Sequence, residues 1–213
     1  MQIRDKVVLF LGDSITQGVG AGSVENRYTD VFARNTGATS VNYGLSGTRI
    51  AHQINFTPGL SHDRDFIMRV DEMQDTADMV VVFGGTNDFG HGDAPLGDFG
   101  DRDQCTFYGA LHTLITKLVN KYPEARIVFM TPLHRFHEES EINCHGNPLS
   151  AYVNAIREVC EYYSLPVLDL YANSGIQPKL DVIKEIYMPD GLHPSAKGAE
   201  RIALMLEAFI KTI

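Results

Sequence analysis

Cysteine is scarce in this chain: three residues, Cys105, Cys144 and Cys160, an odd number at no framework spacing. That excludes a disulfide-stapled secreted scaffold and fits a reducing compartment, so a cytoplasmic location is expected. Positive charge is also in short supply. With 18 Lys and Arg against 27 Asp and Glu, a formal charge of −9 argues against a surface for phosphate backbones or anionic lipid. No nucleic-acid partner is expected. Long apolar runs are missing too: near the N-terminus the longest is Val7 to Leu11, closed by Asp13, against the roughly 20 residues that span a bilayer. Neither membrane insertion nor secretion is expected. No fixed-period repeat, polar tract or Pro/Ser-rich linker divides the chain, so its 213 residues read as one domain over 1–213.

What is present is a recurrence of short apolar runs rich in β-branched residues: Val7–Leu11, Ser40–Tyr43, Met79–Phe83, Ile127–Met130 and Val167–Leu170. Most are continuous rather than alternating, the mark of parallel strands buried on both faces. Between them lie segments with helical spacing, among them Phe107, Ala110, Leu111, Leu114, Ile115 and Leu118, then Leu149, Tyr152, Val153, Ile156 and Val159, and last Ile202, Met205, Leu206 and Phe209. Alternating strands and helices require right-handed crossovers. The expected fold is therefore α/β, a flavodoxin-like three-layer α/β/α domain with a central parallel sheet of about five strands and helices on both faces. In such a sheet the loops at the carboxyl edge bind ligands, which directs attention to 44–62, 84–104, 131–147 and 171–194.

The first strand ends in Gly12-Asp13-Ser14, which puts a hydroxyl on that edge. A serine needs a base within hydrogen-bond reach and a third group to orient the base. Asp190-Gly191-Leu192-His193 supplies both, since residues three apart in a tight turn can set carboxylate beside imidazole. Acyl transfer also requires donors for a tetrahedral oxyanion. The Ser14 N–H, Gly44 in Asn42-Tyr43-Gly44-Leu45-Ser46-Gly47, and the Asn87 side chain in Gly84-Gly85-Thr86-Asn87-Asp88 are the candidates. Taken singly, each block has a plainer reading: an N-cap serine, a tight-turn glycine, an Asx-turn, and a loop histidine before a helix capped by Ser195.

Together these four blocks, in this order and spread from residue 12 to residue 194, resemble the SGNH (GDSL-type) hydrolase family. Ile15 stands where the family's name has leucine. The resemblance implies Ser14 as nucleophile, His193 as base, Asp190 as the orienting acid, and Gly44 with Asn87 as oxyanion donors. It also implies no metal, no cofactor and a small-molecule ester substrate. Polar rim loops rich in His, Asp and Asn favour a short acyl group on a hydroxylated alcohol, hence a carbohydrate acetylesterase. Lysophospholipase or acyl-CoA thioesterase activity is the alternative, with Phe56, Leu60, Phe89, Leu96, Phe99 and Phe136 as a candidate acyl groove. A non-catalytic nucleotide- or sugar-binding module is the alternative from another class. Oligomeric state is not legible in the sequence.

Other features receive plainer readings. Gly18, Gly20 and Gly22 lack the offset of a dinucleotide fingerprint and the lysine of a P-loop, and are read as letting their loop pass close to substrate. His134, His137, Glu138, Glu139, Cys144 and His145 match no zinc spacing, and Asp93, Asp98, Asp101 and Asp103 lack the EF-hand pattern. The glycine-bearing stretch 89–104 is read as a lid or rim loop. His62 to Asp75 is read as a solvated helix with one buried stripe, and Cys105 and Cys160 as packing residues in helices.

Overall fold

The computed structural model describes residues 3–140 and 143–213. Five strands, β1 (Val7–Gly12), β2 (Thr39–Gly44), β3 (Met79–Phe83), β4 (Arg126–Met130) and β5 (Val167–Leu168), form one sheet in the order β2-β1-β3-β4-β5. Every neighbouring pair is parallel. The continuous apolar runs arise because alternate residues of each strand feed two separate cores. Leu9, Leu11, Val80, Val82, Ile127 and Phe129 face one side. There they meet α3 (Phe66–Arg69), α5 (Phe107–Lys121) and α6 (Leu149–Tyr162). Val8, Phe10, Met79, Val81, Val128 and Met130 face the other, beneath α2 (Tyr28–Thr36) and α9 (Ala196–Ile210). The three-layer α/β/α arrangement expected from the alternation is thus present.

Register places the site. Gly12 of β1 pairs with Gly44 of β2 and with Phe83 of β3, so three strands end at one level. From that edge spring α1 (Ser14–Gln17) and α4 (Thr86–His91), and the sheet order reverses direction between β1 and β3. This is the switch point where open α/β sheets bind ligands. Among the described residues no helix is long and apolar enough to cross a membrane.

Several expectations need correction. The fifth strand stops at Leu168 rather than Leu170. Asp169 leaves the ladder to cap α7 (Leu170–Asn173), accepting from Ala172 N at 3.1 Å and Thr131 Oγ1 at 2.9 Å. Loop 171–194 is partly helical, holding α8 (Asp181–Tyr187). Cys105 lies in the turn before α5, which Thr106 caps; Cys160 is buried in α6. The 62–75 segment contains a single α-turn, and Asp63, Asp65 and Arg69 are buried with Phe66, Ile67 and Val70. Asp71, Glu72 and Asp75 face solvent as expected, but Asp63, Asp65 and Arg69 pack inward with the apolar residues.

Candidate active site

Asp13 initiates α1 by accepting the Ile15 N–H at 2.9 Å, which leaves Ser14 first in the helix, almost fully buried. From the far end of the chain, His193 brings Nε2 to 3.0 Å from Ser14 Oγ. Its other nitrogen, Nδ1, lies 2.7 Å from Asp190 Oδ2. Asp190 Oδ1 accepts two backbone N–H groups, from Leu192 at 2.9 Å and His193 at 2.7 Å. Burial opposes ionisation of Asp190, but these N–H groups and the imidazole outweigh it and hold the carboxyl below its ordinary range. Ser195 caps α9 as well, accepting from Gly198 N at 3.2 Å. The structural and the chemical readings of 190–195 are therefore both met by one loop. Hydroxyl, imidazole and carboxylate in line can move a proton off the hydroxyl.

Of the glycines after α1, Gly18 lies against the Arg27 side chain, Gly20 against His193 and Pro194, and Gly22 beside open space. A Cβ on Gly20 would stand 2.7 Å from Pro194 O and 3.0 Å from His193 Cβ, so this loop packs directly behind His193.

Gly44 and Asn87 lie on the same edge, but in different circumstances. The Gly44 N–H is already donated to Asn42 Oδ1 at 2.8 Å. A Cβ at Gly44 would collide with the backbone of Gln17, so glycine is required there for packing of β2 on α1. That corrects the expectation of Gly44 as an oxyanion donor. Along the same loop Leu45 N donates to Gly12 O, Ser46 N to Gln17 Oε1 and Thr48 N to Leu45 O. Gly47, at φ 77°, keeps the one N–H of residues 44–48 without a protein acceptor among the described residues. Asn87 Nδ2 donates to Thr48 O at 3.0 Å, which ties the amide to this loop and leaves its second hydrogen available. The sequence contained a sign of this: Asn42 two residues before Gly44 is the spacing at which an Asx side chain takes a backbone N–H.

Three further residues support the edge and escaped the sequence reading. Arg69 is buried and donates to Gly12 O at 3.0 Å, to Thr48 Oγ1 at 2.9 Å and to Tyr43 O, so one guanidinium ties the ends of β1 and β2 to the following loop. Burial pushes Arg69 down to about 10. Asp88 accepts Ile50 N at 3.0 Å and Ala51 N at 2.9 Å; its burial outweighs those donors and raises the carboxyl to about 6. Burial raises Asp13 further, to about 7, with the Asp88 charge adding and Ile15 N–H and Arg69 opposing. An arginine inside the apolar pattern Phe66, Ile67, Val70 was the available clue.

The remaining candidates disperse. Phe89 is fully buried, Leu96 and Phe99 pack half-buried on the core with α5 and α6, Phe136 lies against Gly191, and Leu60 is exposed, so Phe89 drops out of the expected acyl groove. Phe56 stacks on His52. Pro95 and Leu96 accept from the first turn of α5, and Phe99 O lies 3.0 Å from His112 Nε2. The 95–99 stretch is thus fastened to α5, and the expected lid is not a free flap there. His134 pairs with Glu138 at 2.7 Å, His145 Nε2 meets Asp93 O at 2.7 Å, and Cys144 Sγ donates to Gly92 O at 3.4 Å. Asp93 receives Ile54 N and Asn55 N, and Asp101 receives Asp98 N. Among the described residues no three His, Cys, Asp or Glu side chains are grouped to hold a metal ion.

Comparison with known proteins shows the family and the fold. The GDSL-like lipase/acylhydrolase family matches residues 10–201. A Lactobacillus plantarum protein of known structure is 33% identical, with 99% of this chain and 98% of that one covered at a TM-score of 0.86. A possible lipase from Chitinophaga pinensis is 23% identical over 98% of each chain, at a TM-score of 0.74. The lipase/acylhydrolase from Enterococcus faecalis is 22% identical over 97% and 96%, at a TM-score of 0.69. These last two likenesses speak for the fold. No curated protein matches the chain.

Proposed function

Because the chain belongs to the GDSL-like lipase/acylhydrolase family, we propose that it is a serine esterase working through an acyl-enzyme. The observation that carries this reading is the line Ser14 Oγ, His193 Nε2, His193 Nδ1, Asp190 Oδ2, with gaps of 3.0 and 2.7 Å. His193 takes the Ser14 proton as Oγ attacks the ester carbonyl and returns it to the leaving alcohol. In the second half it takes a proton from water, whose oxygen attacks the acyl-enzyme, and gives that proton back to Ser14. Asp190 keeps the proton-bearing Nδ1 turned toward itself and stabilises the imidazolium. The oxyanion is received by the Ser14 N–H, the Gly47 N–H and Asn87 Nδ2, each donor contributing about 2.7–4 kcal/mol to the transition state.

Within this reading a short acyl group on a hydroxylated alcohol, a carbohydrate acetyl ester, fits better than a long acyl chain. Support comes from Phe89, which a lysophospholipase or thioesterase groove would need at the surface and which is fully buried, with Leu96 and Phe99 half-buried against the core. The test is labelling with a fluorophosphonate together with a rate profile over nitrophenyl esters from acetyl to long acyl. Labelling at Ser14, its loss in Ser14→Ala, and rates highest at acetyl are expected. An unlabelled wild-type protein that hydrolyses nothing would favour a binding module instead.

A further inference from the structure

His91 ends α4 one helical turn beyond Asn87. Residues four apart on a helix share a face, with Cβ atoms about 5–6 Å apart. His91 Nδ1 lies 2.9 Å from Arg49 Nη1. A guanidinium nitrogen only donates, so Nδ1 accepts, and the single ring proton sits on Nε2. Arg49 is itself fixed, buried and paired through Nη2 with Asp63, whose second oxygen accepts Thr57 N at 2.8 Å. Burial, with the neighbouring charges of Arg49, His62 and Arg135, holds His91 below the ordinary imidazole range. The ring is therefore a neutral donor. Its Nε2–H has no protein acceptor among the described residues, and the residue is exposed at the rim.

The surroundings of His91 are rich in donors. Arg135 donates to Thr86 O at 3.0 Å beside Asn87, and His62 packs against Gly47. The carboxylates nearby are engaged elsewhere: Asp63 holds Arg49 and Thr57 N, Asp88 holds Ile50 N and Ala51 N, and Asp93 holds Ile54 N and Asn55 N. An aliphatic acyl chain offers such a rim nothing to accept its hydrogens.

We propose that His91 determines specificity by donating Nε2–H to an acceptor oxygen, hydroxyl, ether or carboxylate, carried on the substrate close to its ester. Arg49 is the positioning residue that fixes the tautomer. The proposal rests on the serine-esterase reading and narrows its substrate class to oxygen-bearing short esters.

Two pairs of esters test it and separate the two sides of the bond. Nitrophenyl methoxyacetate against nitrophenyl butyrate places the acceptor on the acyl side; 2-hydroxyethyl acetate against propyl acetate places it on the alcohol side. With each rate divided by that ester's own rate of hydrolysis by hydroxide, the wild type is expected in at least one pair to favour the oxygen-bearing ester in kcat/KM by about tenfold, the size of one hydrogen bond. His91→Phe should reduce that ratio to about two or less, while His91→Gln, which keeps a donor, restores part of it. A wild-type ratio near one in both pairs, or a preference that survives in His91→Phe, overturns the proposal while fluorophosphonate labelling still stands. Absence of both labelling and hydrolysis overturns the esterase reading together with it. A long-range proton–nitrogen spectrum of Ser14→Ala protein at pH 7 is an independent check. It should show His91 with its proton on Nε2; a proton on Nδ1, or on both nitrogens, overturns the proposal by itself.

Discussion

Ser14 Oγ and His193 Nε2 stand 3.0 Å apart across 179 positions of sequence, whereas His193 and Asp190, which complete the line, are three residues apart. The base and its orienting acid are thus a local unit, and only its placement against the serine depends on the tertiary fold.

Asp190→Asn is expected to lower kcat by about 10³–10⁴. The amide can still accept from Leu192 N and His193 N, so the loop stays in place while the charge that stabilises the imidazolium is lost. Steady-state kinetics with unchanged far-UV circular dichroism checks it; a kcat within about threefold of wild type would remove Asp190 from the mechanism.

Asn87→Ala should lower turnover by about 10²–10³ with the fold intact. The lost donor is one of three for the oxyanion, and the buried Thr48 carbonyl it also served loses its donor, a cost of about 1–3 kcal/mol that a thermal melt reads separately from turnover. Wild-type turnover in this variant would refute the role.

Gly44→Ala should act on stability. Its Cβ meets the Gln17 backbone, which cannot move aside without disturbing α1, and overpacking of this kind costs about 1–3 kcal/mol. Thermal melting checks it. A Gly44→Ala protein that melts with wild type would show that β2 and α1 are less tightly joined than described.

The contribution of two buried carboxyls to stability should fall as pH rises from about 4 to about 7. Asp13 and Asp88 have folded values raised from 3.8 to about 7 and about 6, so in that window the native state holds protons that the unfolded chain has released. Above about 7 both are ionised in either state and the effect levels off. The carboxyls of Asp78, Asp93 and Asp190 are shifted down, and their stabilisation is complete above their unfolded values, so they leave this window flat. His91 and His112, held below the ordinary imidazole value of 6.5, act the other way as pH rises towards it, so the carboxyl effect is read as the part of the Tm change from pH 5 to pH 8 that differs between wild type and Asp13→Asn. The variant is expected to lose less stability over that range; an Asp13→Asn protein with the wild-type pH dependence would contradict the assignment.

The sheet was legible because β1, β3 and β4 are buried on both faces over nearly their whole length and so are apolar almost without interruption, while the edge strand β2 is half-buried and carries Ser40 and Asn42. Four of the five strands were placed to within one residue at each end; the fifth was overrun because Leu170 is as buried in α7 as it would be in a strand. The serine, histidine and carboxylate could be named because their spacing carries chemistry. The glycine donor could not. Gly44 and Gly47 are told apart by where their N–H groups go, which depends on the Asn42 side chain, whose spacing was a sign, and on docking of Gln17, which no spacing marks. Arg69 was hidden for a related reason: a charge in an apolar stripe looks solvated until three carbonyl and hydroxyl oxygens are found around it.

All five strands lie between residues 7 and 168, while His193 and the covering helix α9 come after them. A ribosome releasing this chain delivers the sheet first and the base last. Until the final 20 or so residues (194–213) emerge, one face of the sheet lacks the helix that pairs with α2, and Ser14 has no partner to take its proton. Maturation of the catalytic line therefore coincides with closure of the second core, so a nascent chain paused before that point carries its hydroxyl without the means to use it.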